Sequence, residues 1–257
     1  MIEFDYQKTM NQFRRPFSRR KWLRAGSAAA TGYIASSSAF AQRQPPRPTN
    51  TSDNNRGLKT YNIRDFGAKG DGVTLDTAAL QKAIDACHRD QGGTVQVPAG
   101  RFIIGTVEMK TNVTLHLSAE GHLVGSADGK QYHAIDSIPL RGDTTLEDGN
   151  WALIFAVGAR NFAIGGTGTI DGQGAQFRSP SRGVTPPSGI GGAQRPYHIL
   201  FHQCENFSVR DLFLKDCAYH SVRIVQSSYV KLEGIRIHNR VNRNNDGFFS
   251  LAPGMST

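Results

Sequence analysis

Cysteine is scarce in this chain: three residues among 257, at positions 87, 204 and 217. They are too few and too scattered for a disulfide scaffold or a structural zinc site, although their spacing leaves a Cys204–Cys217 pair open. Long apolar runs are missing as well. With 38% hydrophobic residues, no stretch supplies the ~20 consecutive apolar residues of a membrane-crossing helix. Proline is sparse (11 residues) against 28 glycines, and no Gly-X-Y period links them. That excludes collagen and argues against a helical bundle. Acidic residues are in deficit, 21 against 30 Lys and Arg, for a formal charge of +9. Such an excess raises the question of a nucleic-acid partner, and its location answers it.

The excess sits at the front. The first 41 residues hold seven Lys or Arg against Glu3 and Asp5, so they carry five of the nine net charges. Arg19-Arg20 precedes Trp22-Leu23, an Ala/Gly-rich stretch follows over residues 25–35, and Ala39-Phe40-Ala41 ends it in a small-x-small pattern. A basic region, an apolar region and a small-residue site in that order predict an export signal over residues 1–41, and the arginine pair points to the twin-arginine route. Residues 42–60 are Gln, Pro, Asn, Ser and Arg with hardly an apolar side chain. They cannot bury surface and predict a flexible linker. Residues 42–257 together carry only +4, with no basic patch interleaved with aromatics, so nucleic acid is not expected as a partner.

From residue 61 onward the pattern is that of stacked strands. Leu80, Ala83, Ile84 and Cys87 fall at helical spacing behind Asp76-Thr77, and Gly92-Gly93 follows. This predicts one short helix over residues 77–88, with Asp76 or Thr77 as its N-cap. Residues 71–76 before it read as turn. Beyond it Thr94-Val95-Gln96-Val97 and Val113-Thr114-Leu115-His116-Leu117 alternate as strands do. Ile199-Leu200-Phe201, Phe207-Ser208-Val209 and Leu212-Phe213-Leu214 each recur 23 residues later, as Val222-Arg223-Ile224, Val230-Lys231-Leu232 and Ile235-Arg236-Ile237. Asn161-Phe162-Ala163-Ile164 resembles Asn206-Phe207-Ser208-Val209 in the same way. A three-strand unit with a fixed offset predicts a solenoid whose strands stack coil on coil, with the helix as cap on one open end. The competing reading is a sandwich of evenly spaced strands.

Several segments carry a family resemblance. Asn62-Ile63-Arg64-Asp65-Phe66-Gly67-Ala68-Lys69-Gly70-Asp71-Gly72, the helix region that follows it, and Gly92-Gly93-Thr94-Val95-Gln96-Val97-Pro98-Ala99-Gly100 resemble the opening of pectate-lyase-like proteins. Gly166-Thr167-Gly168-Thr169-Ile170-Asp171-Gly172-Gln173-Gly174 is similar to the segment before the catalytic coils of glycoside hydrolase family 28, the polygalacturonases and rhamnogalacturonases. The resemblance covers roughly residues 61 to 249. It implies an all-β fold, a right-handed parallel β-helix with a short N-terminal capping helix, and hydrolysis of α-1,4 bonds in pectin-like uronans by inversion. Asn244-Asn245-Asp246-Gly247 resembles that family's Asn-x-Asp-Gly motif, whose Asp projects into the substrate groove. By that match Asp246 is a catalytic base and Asn244 stands where substrate binds; Tyr219-His220 sits where members of the family often place a residue at the groove, so His220 reads either as a substrate-binding residue or as structural packing. Taken alone, the same four residues read as a turn, since Asn, Asp and Gly all favour turns.

Inversion needs an acid and a base, with carboxyls about 6.5–9.5 Å apart to admit water. Further motifs of the family (a paired Asp-Asp, Gly-His-Gly and Arg-x-Lys) do not occur in residues 61–257. The reading is therefore a β-helix domain over residues 61–257 that is incomplete at its C-terminal end and lacks part of the catalytic set. Two rivals remain: a catalytically silent carbohydrate-binding fragment, and a lyase eliminating across the uronic acid ring. The eight histidines show no metal spacing, because His198 and His202 lie in strand-like sequence where a four-residue offset does not converge. Neither metal nor cofactor is expected. The expected state is a monomer acting on a polyanionic polysaccharide in the periplasm or outside the cell. The Ser-, Pro- and Gly-rich segment 178–195 predicts a long loop walling the binding face.

Overall fold

Short apolar strands with a constant offset bury their inner faces only when successive copies stack. The computed structural model describes residues 59–135, 150–243 and 245–251. By its internal contacts the chain divides into two units, residues 1–47 and 48–257, and all the described residues belong to the second. The predicted export signal and the linker through residue 58 lie outside them, as does Asn244.

The described strands form three parallel sheets. The first holds Thr60–Asn62, Gly93–Val97, Val113–Leu117, Arg160–Gly166, Glu205–Arg210 and Ser228–Glu233. The second holds Asp71–Leu75, Gly100–Ile104, Gly121–Gly125, Thr169–Asp171, Phe213–Lys215 and Arg236–His238. The third holds Val107–Glu108, Ala152–Val157, Tyr197–His202, Val222–Val225 and Phe248–Leu251. The chain passes from third sheet to first to second and back again, which makes a right-handed parallel β-helix. Sandwich sheets are antiparallel, and every strand-to-strand ladder here is parallel, so that alternative is excluded.

The repeat seen in the sequence is the pairing register itself. Ile199 pairs with Val222 and Phe201 with Ile224; Phe207 pairs with Val230, and Leu214 with Ile237. Phe162 lies under Phe207, and Val209 under Leu232. Stacking puts like on like. The Phe162 and Phe207 rings are parallel at 5.0 Å between centroids, and Phe201 meets both edge-on, geometries that add ~0.5–1.5 kcal/mol each beyond burial. At the turn into the first sheet, Asn206 Nδ2 donates to Asn161 Oδ1 at 2.8 Å. Both asparagines have φ +53°, a left-handed conformation that asparagine tolerates better than most residues.

The helix runs Thr77–Arg89 and packs Leu80, Ala83, Ile84 and Cys87 into the core against the first coil. Its start departs from expectation. Asp76 occupies the N-cap position but makes no side-chain capping bond. Its carboxylate instead accepts from the Lys69 and Gly70 amides at 2.7 and 3.0 Å, while Thr77 Oγ1 accepts from the Gly105 amide. Both side chains tie the helix to neighbouring turns rather than to its own first turn. Residues 71–75, read as turn, form a strand because Gly100–Ile104 offers a partner edge.

The three cysteines are buried and free. Cys217 Sγ lies 3.8 Å from the Pro196 carbonyl, just before the strand Tyr197–His202, and Cys204 Sγ lies 3.4 Å from the carbonyl of His202 at its far end. Six residues of strand, about 20 Å, separate the two thiols, so the Cys204–Cys217 pair left open by the sequence does not form. Burial pushes the thiols of Cys204 and Cys217 up to about 11 and about 12, respectively.

Candidate functional site

Loops of any length accumulate at one corner of the coil. The connections out of the third sheet are tight, two residues at 203–204 and again at 226–227, whereas those from second sheet to third, after a two-residue first one at 105–106, span residues 126–151, 172–196, 216–221 and 239–247. Long connections on one edge of a rigid stack are where binding residues are usually displayed. Asp171, Asp216, His220 and Asp246 all lie on this corner.

Asp246 is placed by backbone register. Its carbonyl accepts from the Ser221 amide at 2.9 Å, and that of Gly247 accepts from the Val222 amide at 3.0 Å. These bonds begin the pairing of Val222–Val225 with Phe248–Leu251. They set residues 246–247 beside 220–221 of the coil beneath. The Asp246 side chain is 77% exposed, and Oδ2 lies 3.5 Å from Nδ1 of His220, which is 12% exposed. So the structure brings Asp246 and His220 together. Asn245, between Asp246 and the undescribed Asn244, turns inward: it donates to the Asn239 carbonyl at 3.0 Å, and Asn239 Nδ2 donates back to the Asn245 carbonyl at 3.2 Å and to Ser221 Oγ at 2.6 Å. Asn242 Nδ2 donates to the Gly174 carbonyl. The loop that presents Asp246 is thus pinned to two earlier connections.

Behind His220 lies an aromatic stack. The Tyr219 ring is 4.2 Å from the imidazole and 5.3 Å from Tyr197; both tyrosines are buried. Arg223 Nη1 donates to the Tyr197 hydroxyl at 3.1 Å. The guanidinium of Arg195, itself buried, lies 4.4 Å over Tyr219. It donates to the carbonyls of Gly192 (3.0 Å), Ala218 (3.1 Å) and Arg243 (2.9 Å).

A second charged group lies on the adjoining strand ends. Lys215 Nζ is 3.2 Å from Asp171 Oδ2 and 3.3 Å from Asp216 Oδ2. The hydrogen bond to Asp171 holds the lysine above its ordinary value. The carbonyl of Lys215 accepts a hydrogen bond from His198 Nε2 at 2.9 Å. His198 is fully buried, and burial pushes its pKa down to about 4, so it is neutral and carries its proton on Nε2. Sequence reasoning passed over Arg195, Asp171, Asp216 and Lys215. A signal existed for two of them: Asp171 and Lys215 occupy equivalent coil positions, paired in register. Arg195 gave none, because its hydrogen-bond partners are backbone carbonyls. Among the described residues no group of three or more His, Cys, Asp or Glu is arranged to hold a metal ion, and no helix is long and apolar enough to cross a membrane.

Residues 60–190 match the family model described as rhamnogalacturonase A/epimerase, pectate lyase-like. The exo-poly-α-D-galacturonosidase of Dickeya chrysanthemi is 28% identical over 229 residues, covering 73% of this chain and 37% of that protein. A probable polygalacturonase of Vitis vinifera is 31% identical over 190 residues, covering 71% of this chain and 38% of the relative. The chain thus spans less than two fifths of the length of these relatives. Among solved structures, the family 28 exopolygalacturonase of Yersinia enterocolitica superposes with a TM-score of 0.62 at 24% identity, over 76% of this chain and 41% of that one; that likeness shows the fold. The matched family span ends before Arg195, His220 and Asp246, which rest on the geometry above.

Proposed function

This chain belongs to the rhamnogalacturonase A/epimerase, pectate-lyase-like family, and from that premise we propose that it is an exported glycoside hydrolase of the polygalacturonase type, with Asp246 as catalytic base. The observation that carries this reading is an exposed carboxylate beside an imidazole on the loop-bearing corner of a β-helix. Both named relatives are galacturonan-cleaving enzymes by their names. In a single displacement Asp246 takes a proton from water. The water oxygen attacks the anomeric carbon from the face opposite the leaving oxygen, that bond breaks, and the leaving oxygen is protonated by a general acid. Asn244 and the exposed edge of His220 bind the sugar next to the point of attack. The +4 charge of residues 42–257 suits a polyanionic substrate.

One observation favours a second reading, binding without turnover. Among the described residues the other carboxylates of this corner are engaged, Asp171 and Asp216 by Lys215 and Asp128 by the Lys130 amide and the Gln131 side chain. That leaves Asp246 as one half of a two-carboxylate machine among the described residues. The assay that separates the readings is release of reducing ends from polygalacturonate by the purified chain. Hydrolysis that falls at least about 10³-fold in Asp246→Asn supports the base assignment. Undiminished release in Asp246→Asn removes it, and tight binding with no release in either chain supports the silent module.

A further inference from the structure

We propose that Arg195 is a positioning residue that sets the place of the Asp246 carboxylate; this rests on the reading of Asp246 as the base. Three successive connections meet at its guanidinium. Nε donates to the Gly192 carbonyl in its own connection. Nη1 donates to the Ala218 carbonyl one coil on, and to the Arg243 carbonyl in the loop that carries Asp246. A buried arginine is costly unless its donors are matched, and the matching carbonyls are supplied from all three layers of the site. Its flat face lies 4.4 Å over Tyr219, whose ring backs His220 at 4.2 Å, and His220 Nδ1 meets Asp246 at 3.5 Å.

Arg195 therefore reaches Asp246 by two routes: through the backbone three residues before it, and through the Tyr219–His220 stack. The loop's other ties act elsewhere. Asn239 and Asn245 close its base, and Asn242 holds its middle to Gly174. A lysine at 195 keeps the charge but has a single nitrogen. It cannot reach three carbonyls in divergent directions while lying flat on a ring.

The test reads the His220–Asp246 contact directly. The imidazole of His220 is titrated by nitrogen–proton correlation NMR in the unmodified chain, Asp246→Asn, Arg195→Lys and the double variant. Asp246→Asn in the unmodified background is expected to lower the His220 midpoint by about half a unit, since an adjacent carboxylate favours the imidazolium. In the Arg195→Lys background the same change is expected to move it by less than about 0.2 unit. Arg195 is itself a cation close to the ring, with Tyr197, Tyr219 and Arg223 nearby, so the reading is the difference between backgrounds. Alongside, kcat on polygalacturonate is expected to fall about 10- to 100-fold in Arg195→Lys with KM within about twofold, as for a misplaced reacting group.

Equal His220 shifts in the two backgrounds overturn the proposal, as does no shift in the unmodified chain. Arg195→Gln is run in parallel with thermal melts, so that either folded variant carries the test. Unfolding by both substitutions would assign Arg195 to the fold and overturn a role in placement. Activity retained in Asp246→Asn instead removes the functional reading, and the titration distinguishes that failure from this one.

Discussion

His198 shows how a single residue links the site to stability. Its imidazole is fully buried, donates through Nε2 to the Lys215 carbonyl, and has no partner at Nδ1 among the described residues. Its folded pKa of about 4 lies below the ordinary 6.5, so between those values the unfolded chain binds the extra proton. Stability from this group is complete above about pH 6.5 and drains away as pH falls toward 4, by an amount on the order of 3 kcal/mol. His198→Gln retains a donor for the carbonyl and cannot titrate. Its melting temperature is expected to drop less than that of the unmodified chain between pH 7 and pH 4.5; an equal drop would place the acid sensitivity elsewhere. Nothing in the sequence marks His198 as interior, since a histidine in a strand reads as surface as easily as core. The sequence singles out Asp246 as a candidate because its neighbours form a motif, whereas Arg195 binds backbone carbonyls, which leave no trace in side-chain identity.

At the scale of elements, the strands were legible wherever the next coil repeats them. Phe162, Phe207 and Val230 share one register position, and a 23-residue offset in sequence is a stacking register in space. Elements formed by partners outside the local pattern were not legible. Asp71–Leu75 has turn composition and becomes a strand because Gly100–Ile104 lies beside it. Asp76 has cap chemistry, yet the amides of Lys69 and Gly70 capture its carboxylate. Gly166 is a case where stacking dictates the residue. Its φ is +106°, and a Cβ there would collide with the Leu117 carbonyl of the coil beneath. Gly166→Ala is expected to cost at least about 2 kcal/mol in urea unfolding, from backbone strain and overpacking together. A loss below about 0.5 kcal/mol would mean that the coils separate more easily than the close approach implies.

For the molecule as a whole, the charge of +9 divides unevenly between residues 1–41 and the rest of the chain. Five of those charges lie in residues 1–41, outside the described structure, where the sequence reads as a twin-arginine signal. Replacing Arg19 and Arg20 together by lysine is expected to leave the protein in the cytoplasm of a bacterial host, whereas the unmodified chain is recovered outside it with Gln42 at its N-terminus. Export of the double-lysine chain at an unchanged rate would refute the route. The described residues form a stack of coils, and the candidate site is assembled from successive layers of one corner: Arg195 and Asp171 below, Asp216 and His220 in the middle, Asp246 above. No single stretch of sequence contains the site; the coil period brings it together.

The central claim, that Asp246 directs water onto an α-linked uronan, predicts a stereochemical outcome. Proton NMR of polygalacturonate during the first minutes with the purified chain reads the anomer released at the cut. Inversion predicts β-configured reducing ends that appear first and then equilibrate, and their loss in Asp246→Asn. Reducing ends released first in the α configuration, unsaturated ends, or β ends undiminished in Asp246→Asn would contradict it.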